Sequence, residues 1–301
     1  MRINQKKRIK HNIYIIYYIP VMEQIQKQQS PITLLFIAAG KSSRFGGEPK
    51  MLSKLGHNEE SLFEISLIQV TKNINIDQLH LVLNNDNQST ILPEVNNVIK
   101  KHKLNIRITH NIQEIPEHRS KPWGTADAIV SAKSHIHNPF ILVNSDDLYD
   151  AKTFELVQEE CDFSKNYIIG FKLGTTLTSS NKANRAFISL DQDNGRVNEL
   201  QEKLNIEKAN YTEEELDKQY VSVNLFFLQS EVLSIMGDDL NVFKHANRNN
   251  DTIEAMLPNF LNSHIKNGEI NMEILKSSGT WNGVTYKDDV EQVRNTLSKD
   301  N

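Results

Sequence analysis

Ile32 to Ala39, Leu79 to Leu83 and Phe140 to Val143 are short apolar runs without polar alternation. A strand with one wet face alternates in character. These runs do not, so both of their faces must be covered, as happens in a parallel sheet packed between helices. Helical spacing lies between the runs: through Leu62, Ile65, Leu67 and Ile68, over residues 88–102, and over 124–135. Leu104 to Ile108 reads as a further strand. Strand and helix in alternation predict βαβ units, and right-handed crossovers leave few topologies. The expected fold is α/β: a three-layer sandwich with a mostly parallel, Rossmann-like mixed sheet. After about residue 165 strands dominate: Tyr167–Lys172, Arg185–Leu190, Val197–Leu200 and Val221–Leu228, with a turn at Asp193-Asn194-Gly195. Helical segments return at 251–266 and 287–298. With no repeat and no long linker, one domain from about residue 31 to 301 is the simplest organisation.

Residues 1–21 differ from the rest. They carry five basic and no acidic residues, then the apolar run Ile13–Ile19 and Pro20. A charged start before an apolar run superficially resembles a signal peptide, but the run is short and no small-x-small cleavage site follows. It is also far below the ~20 apolar residues that span a bilayer. Residues 1–30 are therefore expected to be a disordered extension, with no membrane partner. The whole chain has 34 Lys+Arg against 38 Asp+Glu. That balance argues against nucleic acid as a partner, because phosphate backbones select basic faces. The single cysteine, Cys161, excludes an internal disulfide framework and a Cys-based zinc site. A reducing, cytoplasmic setting fits; homo-oligomerisation is left open.

The chemistry begins in the loop Ala38-Ala39-Gly40-Lys41-Ser42-Ser43-Arg44-Phe45-Gly46-Gly47-Glu48-Pro49-Lys50. A loop after the first parallel strand lies where open α/β sheets bind ligands. Small residues let the backbone approach phosphates and turn its N–H groups toward them. Arg44 adds a forked cation and Lys50 a compact one. The loop is neither G-x-x-x-x-G-K-[ST] nor G-x-G-x-x-G. A-A-G-x-S-S-R-x-G followed by P-K resembles the signature loop of the sugar-1-phosphate nucleotidyltransferases, within the broader MobA-like NTP transferases. Ser42 stands where sugar enzymes usually have Gly, as in the cytidylyltransferase branch.

That resemblance implies a GT-A-type fold, Mg²⁺ as cofactor, and an NTP and a sugar 1-phosphate (or another phosphorylated acceptor) as partners. The nucleotide half would end near residue 165, with the acceptor half beyond it. Arg44 and Lys50 would hold the triphosphate and stabilise the leaving pyrophosphate. Ala38, Ala39, Gly40, Ser42 and Ser43 would cradle the nucleotide. Four further segments match in order. Gly124-Thr125-Ala126 would line the base and sugar pocket, with Gly124 permitting close approach and Thr125 serving as N-cap. Asp146 matches the metal-binding Asp at the end of an apolar strand, with Asp147 beside it. Glu202 and Lys203 match a pair that meets sugar hydroxyls and the sugar phosphate, although Leu204 replaces the usual Pro. Asn224 matches a sugar-contacting Asn; by burial alone it is either a ligand contact or a satisfied structural amide.

The last segment, Trp281-Asn282-Gly283, resembles one whose third residue is a second metal-binding Asp; here it is Gly283. Asp288 or Asp289 replaces it, or one protein carboxylate holds the metal, or the site has decayed. His135 and His137 read as surface histidines, and Glu254 as part of a packing helix. The expected activity is condensation of an NTP with a sugar 1-phosphate, releasing pyrophosphate. Alternatives are a cytidylyltransferase for a non-sugar phosphate acceptor and an inactive nucleotide-binding regulatory module. A glycosyltransferase of related fold ranks lower, because Asp146-Asp147 lacks Asp-x-Asp spacing.

Overall fold

The computed structural model describes residues 31–40, 48–177, 182–284, 289–290 and 293–294. The strands are β1 (Thr33–Ile37), β2 (Gln78–Leu83), β3 (Arg107–Ile112), β4 (Phe140–Asn144), β5 (Asp147–Tyr149), β6 (Asn166–Lys172), β7 (Ala183–Leu190), β8 (Val197–Ile206), β9 (Tyr220–Leu228), β10 (Met272–Lys276) and β11 (Trp281–Gly283). The helices are α1 (Leu62–Asn73), α2 (Gln88–Lys101), α3 (Thr125–Ser131), α4 (Ala151–Glu160), α5 (Glu213–Lys218), α6 (Glu231–Ala246) and α7 (Leu257–Lys266). The main sheet runs β10-β6-β9-β4-β1-β2-β3, with the hairpin β7–β8 attached through β9. Every neighbouring pair along β4-β1-β2-β3 is parallel. β9 runs against both β4 and β6, and β10 is parallel to β6. This is the mostly parallel, mixed sheet of the GT-A-type fold.

The sheet separates two apolar layers, and the residue-by-residue alternation of its strands explains why their runs are uniformly hydrophobic. Leu34, Phe36, Leu79, Leu81, Ile141 and Val143 join α1, α2 and α4 on one face. Leu35, Val82, Phe140 and Leu142 join α3, α6 and α7 on the other. Local chemistry fixes the helix starts. Ser61 Oγ accepts from the Glu64 amide and caps α1. Asp150 Oδ1 accepts from the Thr153 amide and caps α4. The other oxygen of Asp150 accepts from the Thr280 amide at 2.7 Å, which brings the approach to β11 against β5.

Some expectations shift. β3 lies at Arg107–Ile112 rather than 104–108, because its pairing with β2 starts at Gln78↔Arg107. α3 ends at Ser131, and the stretch to 135 continues as turns. α7 begins at Leu257, not 251, with Pro258 in its first turn. The final helix expected at 287–298 falls largely outside the described residues. α4, α5, α6, β5, β10 and β11 are additions to the expected elements.

A buried polar network runs through the β2–β3 face. His80, fully buried, meets Thr109 Oγ1 and Asn111 Oδ1, both at 2.8 Å, and its ring stacks on His135 at 5.1 Å. His135 is thus part of a packed pair, while His137 is exposed as expected. Burial lowers the His80 pKa from 6.5 to about 4. A folded-state pKa below the unfolded value means that the unfolded chain takes up the proton first as pH falls. Stability should therefore fall by roughly 3 kcal/mol between about pH 6.5 and pH 4. Urea unfolding across that range checks this: in His80→Gln the fall should be smaller by that amount. An equal pH dependence in the two proteins would refute it.

Candidate active site

The ends of β1 and β4 lie side by side, in register through Ile37↔Asn144. This places the loop after β1 next to the acids after β4. Pro49 leads into a single 3₁₀ turn, Lys50–Leu52, anchored by buried Met51. From that anchor Lys50 Nζ reaches Asp146 Oδ2 at 2.8 Å. Cation and carboxylate, 96 residues apart in sequence, thus form one ion pair. Arg44, Ser42 and Ser43 lie outside the described residues.

A cavity of about 270 Å³ opens beside this pair. Ala38, Gly40, Lys50, Gln113, Gly124 and Thr125 are among the residues on its wall. Ala39 and Ala126 are buried in the core instead. The loop's backbone is held by two asparagines absent from the sequence expectations. Asn84 Nδ2 donates to the Ala39 carbonyl at 2.9 Å, and Asn87 Nδ2 to the Ala38 carbonyl at 2.7 Å. The Asn84-Asn85-Asp86-Asn87 cluster directly after a buried strand is the sequence signal that could have found them.

On the opposite wall, Gly124 is the N-cap of α3 with φ 105° and ψ −174°. A Cβ there would lie 2.7 Å from the Ala255 carbonyl oxygen. Thr125 does not cap α3: its Oγ1 accepts from the Leu257 amide at 3.0 Å and so links the starts of α3 and α7. The segment carrying Ala255 is held by Arg119, whose guanidinium lies 3.5 Å over the Trp123 ring and donates to the carbonyls of Asn250, Ile253 and Lys121. Glu254 is in no helix; it lines this cavity and pairs with Lys121 at 3.3 Å. Gln113 Nε2 donates to the Gly124 carbonyl and to Asp127 Oδ2.

A second cavity, of about 760 Å³, lies between the β4 tip, the β7–β8 hairpin, β9 and β11. Asp146, Asp147, Glu202, Asn224, Gly283 and Asp289 are all on its wall. Asn144 and Asp146 belong to both walls, so the two cavities meet at the end of β4. Asp147 is buried; its Oδ2 accepts from Asn144 Nδ2 at 2.8 Å and from the Tyr149 hydroxyl at 3.2 Å. Burial, and then the neighbouring Asp146 carboxylate, push its pKa up to about 8. Burial likewise raises Glu202. Asn224 has φ 61° and sits where the β6–β9 register slips, so the strand bulges to turn this residue toward the cavity. Among the described residues its backbone amide donates to Ser222 Oγ at 3.1 Å, and its side-chain amide makes no hydrogen bond. Gly283 pairs with Asp147 across β11–β5, and a Cβ on it would lie 2.7 Å from the Trp281 ring. The indole fills the space a side chain at 283 would need. Lys203 is not on this wall; its ammonium lies 3.9 Å over the Phe187 ring.

Residues 38–298 match the family model described as nucleotidyl transferase. A search of curated proteins by sequence gives no match. Among solved structures, the chain is similar to the inositol-1-phosphate CTP transferase from T. maritima, with TM-score 0.63 and 14% identity over 90% of this chain and 97% of that one. It is similar also to a UDP-glucose pyrophosphorylase solved with UDP-glucose, with TM-score 0.62 and 12% identity over 90% of this chain and 100% of that one. At these identities the structural likeness speaks for the fold.

Proposed function

The chain belongs to the nucleotidyl transferase family and is an enzyme of that class; from that premise we propose that it condenses an NTP with a sugar 1-phosphate, releasing pyrophosphate. The observation that carries this reading is the meeting of two cavities at Asn144 and Asp146. The smaller, beside Lys50 and the β1 loop, suits the nucleotide. The larger, with Glu202 and Asn224 on its wall, suits a polyhydroxyl acceptor.

An oxygen of the acceptor's phosphate forms a bond to the α-phosphorus, and the bond from that phosphorus to the bridging α,β-oxygen breaks. The electron pair leaves with pyrophosphate. The attacking oxygen is already anionic, so no side chain has to remove a proton. What remains for the protein is alignment and charge compensation. Lys50 and Arg44 would neutralise the β- and γ-phosphates, and the β1 loop, fixed by Asn84 and Asn87, would hold them in line. Two carboxylates at a strand tip are a ligand count Mg²⁺ takes when phosphates and water complete its shell. Asp146 and Asp147 would hold it, with Asp147 oriented by Asn144 and Tyr149. Asp289 lies on the same wall. Bound there, Mg²⁺ would supply charge stabilisation to the reacting phosphates.

Pyrophosphate release over four NTPs, each with glucose 1-phosphate, mannose 1-phosphate and inositol 1-phosphate, tests the reading. Release that needs one NTP and one sugar phosphate supports it. Release only with phosphocholine or another non-sugar phosphate favours the cytidylyltransferase alternative, for which Ser42 speaks. Nucleotide binding without release in any combination would end it.

Asn224 gives a finer check. Asn224→Gly keeps the left-handed backbone unstrained but removes the amide, so the acceptor KM should rise about tenfold with no loss of stability. Asn224→Ala should show the same KM and lose about 1 kcal/mol of stability from backbone strain. An unchanged acceptor KM in the glycine variant would remove Asn224 from the acceptor site.

A further inference from the structure

The larger cavity has two cationic side chains on its wall among the described residues, Lys182 and Arg185. Lys182 is committed to Glu207 at 2.8 Å, at an exposed position. Among the described residues no carboxylate lies within ion-pair distance of Arg185, although Asp147 and Glu202 share its cavity. Its guanidinium is nonetheless fixed from three sides. Nη1 donates to the Asn184 carbonyl at 2.7 Å, and Nη2 to the Thr176 carbonyl at 2.6 Å. One face lies 4.6 Å from the centre of the Trp281 ring. Nε is buried and has no hydrogen-bond partner among the described residues.

A guanidinium held so firmly, and among the described residues short of one hydrogen bond and without a counter-charge in contact, is set to receive an anion. Burial works against its charge, while Asp147 and then Glu202 support it from a distance. Lys203, the cation that the family resemblance assigns to the acceptor phosphate, is on none of this wall and rests on Phe187. We infer that Arg185 is the residue that receives the phosphate group of the acceptor. The inference rests on the transfer reaction proposed above. It places a cation on the wall of the cavity that the acids at the β4 tip also line, so the acceptor phosphate would meet both Arg185 and the metal-binding carboxylates. A forked guanidinium also fixes the orientation of a phosphate, which a lysine ammonium does not. Trp281 and Gly283 take part indirectly: the absence of a side chain at 283 lets the indole lie where it supports the guanidinium plane.

The test compares full-length wild type, Arg185→Lys, Arg185→Met and Lys203→Met. Calorimetry with Mg²⁺ measures binding of glucose 1-phosphate, mannose 1-phosphate, inositol 1-phosphate and phosphocholine, with glucose and inositol as phosphate-free counterparts. NTP affinity and thermal unfolding are measured on the same samples. The expected result is an acceptor Kd raised about 100-fold in Arg185→Met and about tenfold in Arg185→Lys, with NTP affinity kept. The phosphate-free counterparts should not distinguish the variants from wild type. If Arg185→Met unfolds, Arg185→Lys carries the test alone. An acceptor Kd that is unchanged in the folded Arg185 variants, or that rises only in Lys203→Met, overturns the inference and leaves the proposed reaction standing. Wild type that binds none of the four phosphates removes both.

Discussion

Asp146→Asn is expected to lower kcat by about 10³-fold at saturating NTP and acceptor, a loss typical of removing a group that organises transition-state charge. The substitution keeps the side chain's shape and deletes its charge. Two effects follow from the ion pair at 2.8 Å. The Mg²⁺ that Asp146 would hold loses one of its carboxylates, and Lys50 loses the partner that aims it. The same geometry predicts that metal-free nucleotide binding does not weaken, because the deleted charge repels a triphosphate and Lys50 is set free to meet one. Pyrophosphate release at graded Mg²⁺, beside nucleotide binding in a chelator, reads both effects. A kcat within threefold of wild type would take the carboxylate out of the chemistry. Weaker metal-free nucleotide binding would mean that Asp146 acts mainly by shaping the loop.

Gly124→Ala is expected to cost about 3 kcal/mol of stability, or a fall of about 5 °C in Tm. Two costs coincide at this position. With φ 105° and ψ −174°, Gly124 occupies a backbone region that side chains rarely adopt. The added methyl would also lie 2.7 Å from one backbone atom of Ala255 and 2.9 Å from another. The Ala255 segment cannot easily retreat, because Arg119 ties it through the Asn250 and Ile253 carbonyls to the Trp123 face. Any relief would come from moving the wall of the smaller cavity, so nucleotide affinity should fall with stability. Thermal unfolding with and without nucleotide measures both. An unchanged Tm would show that the α3 entrance yields more readily than its contacts indicate.

How much of this was legible beforehand follows from what each feature depends on. β1, β2 and β4 were readable because strands covered on both faces are mostly apolar, and Leu34, Leu35 and Phe36 all meet core, while the polar exceptions such as His80 are hydrogen-bonded. The end of β4 was readable as a candidate site because two acids follow such a run. That these acids face Lys50 depended on β1 and β4 being neighbours, a long-range pairing that no local pattern encodes. α6 had a readable signal in the spacing of Val232, Leu233, Met236 and Leu240, which went unread although Gln229-Ser230-Glu231 separates it from the preceding strand. The Asn224 bulge left no trace, since a left-handed asparagine is spelled like any other. Arg185 was visible only as the first residue of a strand. Its importance comes from Trp281, 96 positions later in the chain. Gly283 looked like a missing ligand until the indole was seen to occupy its side-chain space.

The β7–β8 hairpin is joined to the main sheet through Ala186↔Ser222 and Phe187↔Val221, yet it contributes Arg185 and Glu202 to the larger cavity. The smaller cavity, the one proposed for the nucleotide, is lined by residues at the ends of β1 and β4 and the start of α3, among others, and among the described residues by none of this hairpin. If the proposed division holds, selectivity for the acceptor can drift while the machinery for the nucleotide is inherited intact. Transplanting residues 183–206 from a relative with a different acceptor should exchange that preference and leave the choice of base alone, which competition assays on the chimera would read directly.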